Sequence, residues 1–252
     1  MTVFAYLSLF LAVLLGGAAG AGVMNARLSE EKLRSFLPLL LSFSGAYLLG
    51  IAALEMIPEV FREGGSEMGA YLLGGFFLQL VLEGFSQGVE HGHIHAHRQS
   101  GYVYAVQIMV GLGVHAFLEG LPVAMDTGGL EAHAGHHHSA VGNHLLFGIL
   151  MHKLPAAFSL AVLLRASDYS RRFTLGALFL FACLSPLGTL VGAIFSFSHI
   201  WIDRILALVV GSFLHISTTI LFEADGKRSH SISPRKFLVI VSGMILAWLT
   251  TH

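Results

Sequence analysis

Two short patterns in this sequence have the residue types and spacing for chemistry. In the segment GVHAFLEGLPVAM, His115 stands four residues before Glu119, and in ILMHKLPAAFSLAVLL, His152 and Lys153 stand just before Pro155. An interval of four places the imidazole and the carboxylate on one face of a helix. Charged groups at mid-membrane depth cost roughly 2.5–3.5 kcal/mol each, so they persist where a partner or a wet cavity receives them. Nitrogen and oxygen donors on one such face are what a divalent transition metal needs.

Other polar side chains interrupt the apolar segments, and two interpretations stay open for them. Glu55, Glu83 and His215 each lie inside a run of apolar residues. A single histidine on an apolar face is usually a hydrogen-bonded core residue, so His215 is either that or part of a metal pathway. Glu83 is either a structural partner for Lys153 or a further pathway residue. Both remain candidates at this point.

Two histidine-rich segments stand outside the apolar runs. The first contains His91, His93, His95 and His97. The second contains His133, His136, His137 and His138, and His144 follows it. Such tracts bind metals loosely, and the alternative is a solvated loop without a specific role. Because each tract flanks the pair of apolar segments with the buried histidines, we expect two metal-collecting loops, one per membrane face.

The composition places the chain among membrane proteins. Its 252 residues are 55% apolar and 12% charged, with a mean hydropathy of +0.74. A span needs about 20 apolar residues, and the sequence predicts eight, at about 3–24, 37–57, 69–89, 102–125, 143–165, 173–196, 200–222 and 236–251. The loops are too short for a second folded unit, so we expect one transmembrane domain over residues 1–252. A net charge of −1 without a basic stripe gives no support to nucleic-acid binding.

The distribution of basic residues predicts the orientation. Of the 14 Lys and Arg residues, eleven fall in one set of loops and two, Arg62 and Arg204, in the opposite set, with Lys153 inside a span. Cytoplasmic loops collect Lys and Arg. We therefore expect both termini outside the cytoplasm and the loop at 90–101 inside it. If one span had been missed, loops rich and poor in Lys and Arg would no longer alternate along the chain, so the charges also support the count of eight.

Five segments in order resemble the ZIP (Zrt-, Irt-like) family of divalent-metal transporters. They are HAFLEG at 115–120, HKLPAAFSLAVLL at 152–164, ALEMIPE at 53–59, SPLGTLVG at 185–192 and VVGSFLHISTTILFE at 209–223. The second is similar to the family branch with HK followed by FSL. The resemblance covers essentially the whole chain. It implies an all-α bundle with a 3+2+3 architecture, in which the first and last three helices form inverted repeats around a metal-carrying fourth and fifth helix.

The departures from the family pattern bear on how many metals are bound. Many relatives hold two adjacent metals bridged by carboxylates, but here the corresponding positions carry residues that do not fit a second metal, namely Ala116, Lys153, Ala156 and Ser185. We expect the Lys153 ammonium to occupy the space of a second cation. The resemblance therefore implies one metal, held by His115, Glu119 and His152. Glu55, at the position of a family histidine, is a candidate fourth ligand, and water completes the shell.

The ligand types bound the transported ion. Two imidazoles with one or two carboxylates suit Zn²⁺ first, with Fe²⁺, Mn²⁺ and Cd²⁺ as alternatives, and the lack of thiolate ligands argues against Cu(I). The resemblance implies movement into the cytoplasm, with no catalytic cofactor. Because metal binding needs neutral imidazoles, affinity should fall as the pH drops through about 6.5.

A different class of function uses the same residues. An intramembrane zinc hydrolase would employ Glu119 as general base on a metal-bound water. The sequence contains no HExxH, and the order from His115 to Glu119 is wrong for that signature. We therefore favour a transporter in a plasma or bacterial inner membrane, with the lipid bilayer and a divalent metal as partners. The oligomeric state is left open, a homodimer included.

Overall fold

The chain folds into a bundle of long helices. The computed structural model describes residues 2–25, 30–89, 101–125, 138–195, 199–222 and 233–251. Its α-helices are α1 (Thr2–Asn25), α2 (Glu30–Ile51), α3 (Ile57–Gly64), α4 (Met68–Ser86), α5 (Tyr102–Met125), α6 (His138–Ala166), α7 (Arg171–Ile194), α8 (His199–Phe222) and α9 (Pro234–Thr251). A π-helical turn, Ala52–Met56, joins α2 to α3.

The predicted count of membrane spans is confirmed. Within the described residues, eight helical segments are long and apolar enough to cross a bilayer. The all-α class is confirmed with them. The fourth and fifth spans, which carry the predicted metal ligands, correspond to α5 and α6. α6 is the most enclosed, with 78% of its apolar window buried. It therefore lies at the centre of the bundle.

The second span is longer than the predicted 37–57. It continues without interruption over Phe36–Gly64, through the π turn and α3. Pro58, which breaks a regular helix, lies in the first turn of α3, directly after the π turn. The missing N–H of a proline disturbs a helix least in its first turn. The chain therefore accommodates Pro58 without leaving the span.

Two further boundaries differ from the prediction. The third span, predicted at 69–89, ends at Ser86, because Gln87 and Gly88 have positive φ angles of 53° and 71° that end the helix. The fifth span, His144–Ala166, agrees with the predicted 143–165 to within one residue, but α6 itself begins earlier, at His138, which we expected in a loop.

Packing between the helices follows a two-fold pattern. α1 packs along α6 as α7 packs along α5, and α4 packs along α8 as α9 packs along α2. α1 also contacts α7, and α2 contacts α8. Exchanging α1 with α7, α2 with α8, α4 with α9 and α5 with α6 converts these contacts into one another, whereas the contact of α4 with α5 has no counterpart of similar extent between α9 and α6 in the described residues. This is the packing of inverted repeats around a central helix pair.

Paired glycines set the close approach of α7 to α5. Gly188 and Gly192 stand about one turn apart on α7, and a methyl group at either position would collide with a carbonyl oxygen of α5, that of Phe117 or Leu121 respectively. Small residues let helix backbones touch in lipid, where the hydrophobic effect does not draw helices together. These two positions therefore require glycine for the observed contact.

The same arrangement recurs on the other side of the bundle. Gly16 and Gly20 of α1 face the backbone of α6, where a methyl group would collide with the carbonyl oxygen of Leu154 or approach that of Phe158 at 2.6 Å. Leu154 of α6 follows Phe117 of α5 by the same number of residues as Phe158 follows Leu121. That interval relates equivalent positions of the two central helices.

The same sequence interval shows which polar residues of α5 have a polar counterpart at the equivalent position of α6. It relates His115 to His152, so the two imidazoles occupy equivalent places on α5 and α6. Glu119 corresponds to the uncharged Ala156 of α6, and the position of α5 that corresponds to Lys153 is also uncharged. The bundle is therefore symmetric in packing and asymmetric in charge at its centre.

The close contact of α7 with α5 can be tested by adding a methyl group. Gly188→Ala should lower the thermal unfolding midpoint in detergent, because overpacking costs about 1–3 kcal/mol. Gly176→Ala is the matched control on the same helix, since nothing lies within 4 Å of an added methyl there. Equal midpoints for the two variants would contradict the close approach of the two backbones.

Candidate metal centre

His115 and Glu119 form the core of the candidate centre on α5. The His115 Nε2 lies 3.4 Å from the Glu119 Oε2, and the two residues are only 3% and 1% exposed. Two atoms bound to one tetrahedral zinc at about 2.0–2.1 Å lie about 3.4 Å apart. The predicted i,i+4 pair therefore has the separation of two ligands of one zinc ion.

His152 completes the predicted group from α6. Its ring lies edge-on to that of His115, with 6.1 Å between the centroids and 84° between the planes, and it is 2% exposed. Among the described residues, no group of three or more His, Cys, Asp or Glu side chains is spaced to hold a metal in this conformation. The side chains of α5 and α6 must therefore shift before all three contact one ion.

The other carboxylate oxygen of Glu119 is engaged by two neighbouring helices. The Lys153 ammonium of α6 pairs with Glu119 Oε1, and the Ser185 hydroxyl of α7 lies 3.1 Å from the same oxygen. The Lys153 ammonium also lies 5.1 Å from the centre of the Phe181 ring. Glu119 thus joins three helices, with a positive charge on one oxygen and an imidazole near the other.

Ser212 and Gln79 hold His115 from the opposite side. The Ser212 hydroxyl of α8 donates to the Gln79 Oε1 of α4 at 2.9 Å and lies 3.3 Å from the His115 Nδ1. A hydroxyl has one proton to donate, so the serine oxygen accepts the Nδ1–H of His115. In a neutral imidazole the lone pair is then on Nε2, the nitrogen that faces Glu119.

Glu83 and His215 pair with each other across α4 and α8. The His215 Nε2 lies 2.5 Å from the Glu83 Oε2, and the His215 ring stands edge-on to that of Phe76. The sequence left open a pairing of Glu83 with Lys153, but the structure places Lys153 on Glu119 instead. His215 is therefore the hydrogen-bonded histidine that one of its two interpretations predicted.

Glu55 lies at a different level of the bundle. Its carboxylate contacts the His144 Nδ1 at 2.6 Å, near the start of α6. His144 precedes His152 by two helical turns, about 12 Å along the axis at 1.5 Å per residue. The structure thus brings His115, Glu119 and His152 together and places Glu55 with His144. The role of Glu55 as a fourth ligand stays a prediction.

The predicted collecting loops lie outside what the structure describes. This applies to His91, His93, His95, His97, His133, His136 and His137, and to the side chain of His138. Their role as metal-collecting residues stays a prediction.

Sequence reasoning missed the contact of Ser212 with His115. A signal for it was present, because Gln79 and Glu83 are four residues apart on α4 and Ser212 and His215 three apart on α8. Such intervals place each pair on one helix face. Two polar faces in apolar spans predict that the spans face each other, which the hydrogen bonds between α4 and α8 confirm.

The arrangement places two imidazoles and a carboxylate, all possible ligands of a dication, inside an apolar bundle. The family model described as ZIP zinc transporter matches residues 1–250. A comparison with curated proteins finds no match. Proteins of this family move divalent metals across membranes and are not enzymes, which sets aside the hydrolase interpretation. Because the match covers nearly the whole sequence, this membrane protein belongs to the ZIP zinc transporter family.

Proposed function

We propose that this protein carries Zn²⁺ into the cytoplasm through a single-metal site formed by His115, Glu119 and His152. The observation that supports it best is the 3.4 Å separation of the His115 Nε2 and the Glu119 Oε2, the ligand spacing of tetrahedral zinc. The His152 ring lies beside them. Nitrogen and carboxylate ligands favour zinc over magnesium, with Fe²⁺, Mn²⁺ and Cd²⁺ as weaker alternatives.

The Lys153 ammonium accounts for the proposed count of one metal. It occupies the Glu119 oxygen that a second, bridged cation would need. Ala116 and Ala156 offer no further oxygen ligand on the two central helices. The ammonium on Oε1 already neutralises the charge of Glu119, so a zinc ion on the other oxygen, Oε2, would compete with Lys153 for the charge of the same carboxylate.

The proposed direction of transport, into the cytoplasm, is what the resemblance to the family implies, and the distribution of charge orients the chain in the membrane. With most Lys and Arg residues in one set of loops, the positive-inside rule puts both termini outside the cytoplasm. In this orientation the amino end of α6 lies at the outer face, and α6 passes His144 and then His152 on the way inward. Zinc would then move along α6 from its amino end towards its carboxyl end.

Uptake of radioactive zinc into proteoliposomes tests the proposed site. His115→Ala and His152→Ala should each reduce uptake at least about tenfold, because each removes one of three ligands. Ser159→Ala is the matched control, since Ser159 is buried on α6 and its hydroxyl bonds only within its own helix in the described contacts. Uptake that is the same in all three variants would contradict the site.

The competition between Lys153 and zinc gives a second prediction. Lys153→Met should bind zinc more tightly, by about tenfold or more, because the Glu119 carboxylate loses its resident cation. The metal-free variant should be less stable, since breaking a buried ion pair costs about 3–5 kcal/mol. Lys153→Arg keeps the charge and serves as control. Calorimetric titration and thermal unfolding measure both effects, and weaker zinc binding by Lys153→Met would refute the competition.

The hydroxyl of Ser212 should matter for affinity although it is not a proposed ligand. Ser212→Ala removes the acceptor that orients His115, and the loss of such a partner typically weakens metal binding 10–100-fold. Ser212→Thr restores the hydroxyl and should recover most of the affinity. The uptake kinetics should show a raised KM with a nearly unchanged maximal rate. A Ser212→Ala variant with wild-type KM would show that the contact with His115 has no orienting role.

A further inference from the structure

We propose that Glu55 and His144 form a second metal site, separate from the central one, at the outer mouth of the pathway. The proposal rests on the proposed function, because the outer position follows from the orientation given above. Its observation is the close approach of the Glu55 Oε2 to the His144 Nδ1, at 2.6 Å. One residue comes from the second span and the other from the fifth, so the pair bridges two helices of the bundle.

The chemistry of the pair suits a dication in transit. It presents one imidazole nitrogen and one carboxylate oxygen, both ligands of Zn²⁺. The two atoms need to open by less than about 1 Å to reach the roughly 3.4 Å that separates two tetrahedral zinc ligands. Their side chains are 14% and 24% exposed, whereas those of Glu119 and His115 are 1% and 4% exposed. The pair is thus less enclosed by protein than the central site, and with His144 at the end of its span we infer that water completes the shell and that binding is weak and reversible.

The backbone at Glu55 departs from a regular helix. Glu55 lies in the π turn Ala52–Met56, which joins α2 to α3 within the second span. A π turn holds one residue more than an α turn and thereby changes the direction in which its side chains point; such turns occur frequently at functional sites. Here the turn presents a carboxylate to α6, and Glu55 contacts His144 there.

An apolar layer separates this pair from the central site. Leu145 and Ile149 lie on the stretch of α6 between His144 and His152, and both are buried in one cluster with Ile51 and Met56 of the second span. The two sites are about 12 Å apart along α6. A metal on the outer pair would therefore be separated from the central site by buried apolar side chains. The two sites would bind metal one after the other and do not share a coordination shell.

The acidic character of α3 favours arrival of a cation at this end. Within the described residues, three carboxylates of this region, Glu59, Glu63 and Glu67, pair with only two arginines, Arg62 and Arg204, so one negative charge is left over, and the side chains of Glu63 and Glu67 are 41% and 64% exposed. Negative charge at a mouth raises the local concentration of cations. The outer pair is thus placed between a negatively charged rim and the central ligands.

Counting bound zinc ions in the full-length protein tests the proposal. The protein is placed in nanodiscs with the loop histidines His91, His93, His95, His97, His133, His136, His137 and His138 changed to Gln, so that loose binding does not interfere. Equilibrium dialysis with radioactive zinc should then find two ions per chain. Glu55→Gln combined with His144→Gln should leave one ion of unchanged affinity, and His115→Gln combined with His152→Gln should leave the weaker one.

A position swap serves as the control for a purely structural role. Glu55→His combined with His144→Glu keeps one nitrogen and one oxygen ligand in place and should bind two ions. In proteoliposomes, Glu55→Gln with His144→Gln should raise the KM for zinc about tenfold without changing the maximal rate. Thermal unfolding without metal shows whether each variant is folded, and if the double Gln variant is not, the swap alone decides the outcome.

The outcomes separate this proposal from the proposed function. Two ions of unchanged affinity in the folded double Gln variant, or one ion in the folded swap, would overturn the outer site while leaving transport intact. A remaining ion of weakened affinity would place Glu55 in the central shell and also overturn it. If instead wild-type protein takes up no zinc, and His115 and His152 have no effect on binding, the proposed function itself fails.

Discussion

A carboxylate enclosed in a membrane protein must be compensated, and the pairing of Glu119 is the interaction on which the centre of this bundle depends. Its two oxygens face an ammonium and a serine hydroxyl on one side and an imidazole on the other. These partners come from α5, α6 and α7, so the charge can be buried only when the three helices are together. In the proposed site the same carboxylate is also a ligand of the dication. Structural stability without metal and metal binding would then compete for one group.

The packing that brings the three helices together is symmetric, whereas the charges are not. Glycine pairs on α1 and α7 press against the central helices at equivalent positions, so α6 and α5 make equivalent contacts with α1 and α7 respectively. The imidazoles of His115 and His152 follow this symmetry. Glu119 and Lys153 break it, with a carboxylate on one central helix and an ammonium on the other. This one neutralising pair in a frame of equivalent glycine contacts is the basis of the proposed single-metal site.

Much of this protein could be predicted from its residues. The apolar runs and the alternation of basic loops predict eight spans. A helix needs a minimum apolar length to cross the bilayer, whichever helices pack against it. The i,i+4 interval gave the shared face of His115 and Glu119, since helical periodicity is a local property. The ends of spans were less accurate. The π turn after Ile51 and the left-handed residues after Ser86 depend on local backbone choices that hydropathy does not record.

Which polar groups meet was decided only in three dimensions. The sequence determined that several charged and histidine side chains would lie inside apolar helices and therefore need partners. It did not determine that Lys153 pairs with Glu119 or that Glu55 pairs with His144. It also did not reveal the two-fold relation of the central helices. The physical reason is that periodicity fixes the face of each helix, whereas the partner depends on the crossing and axial register of helices far apart in the chain.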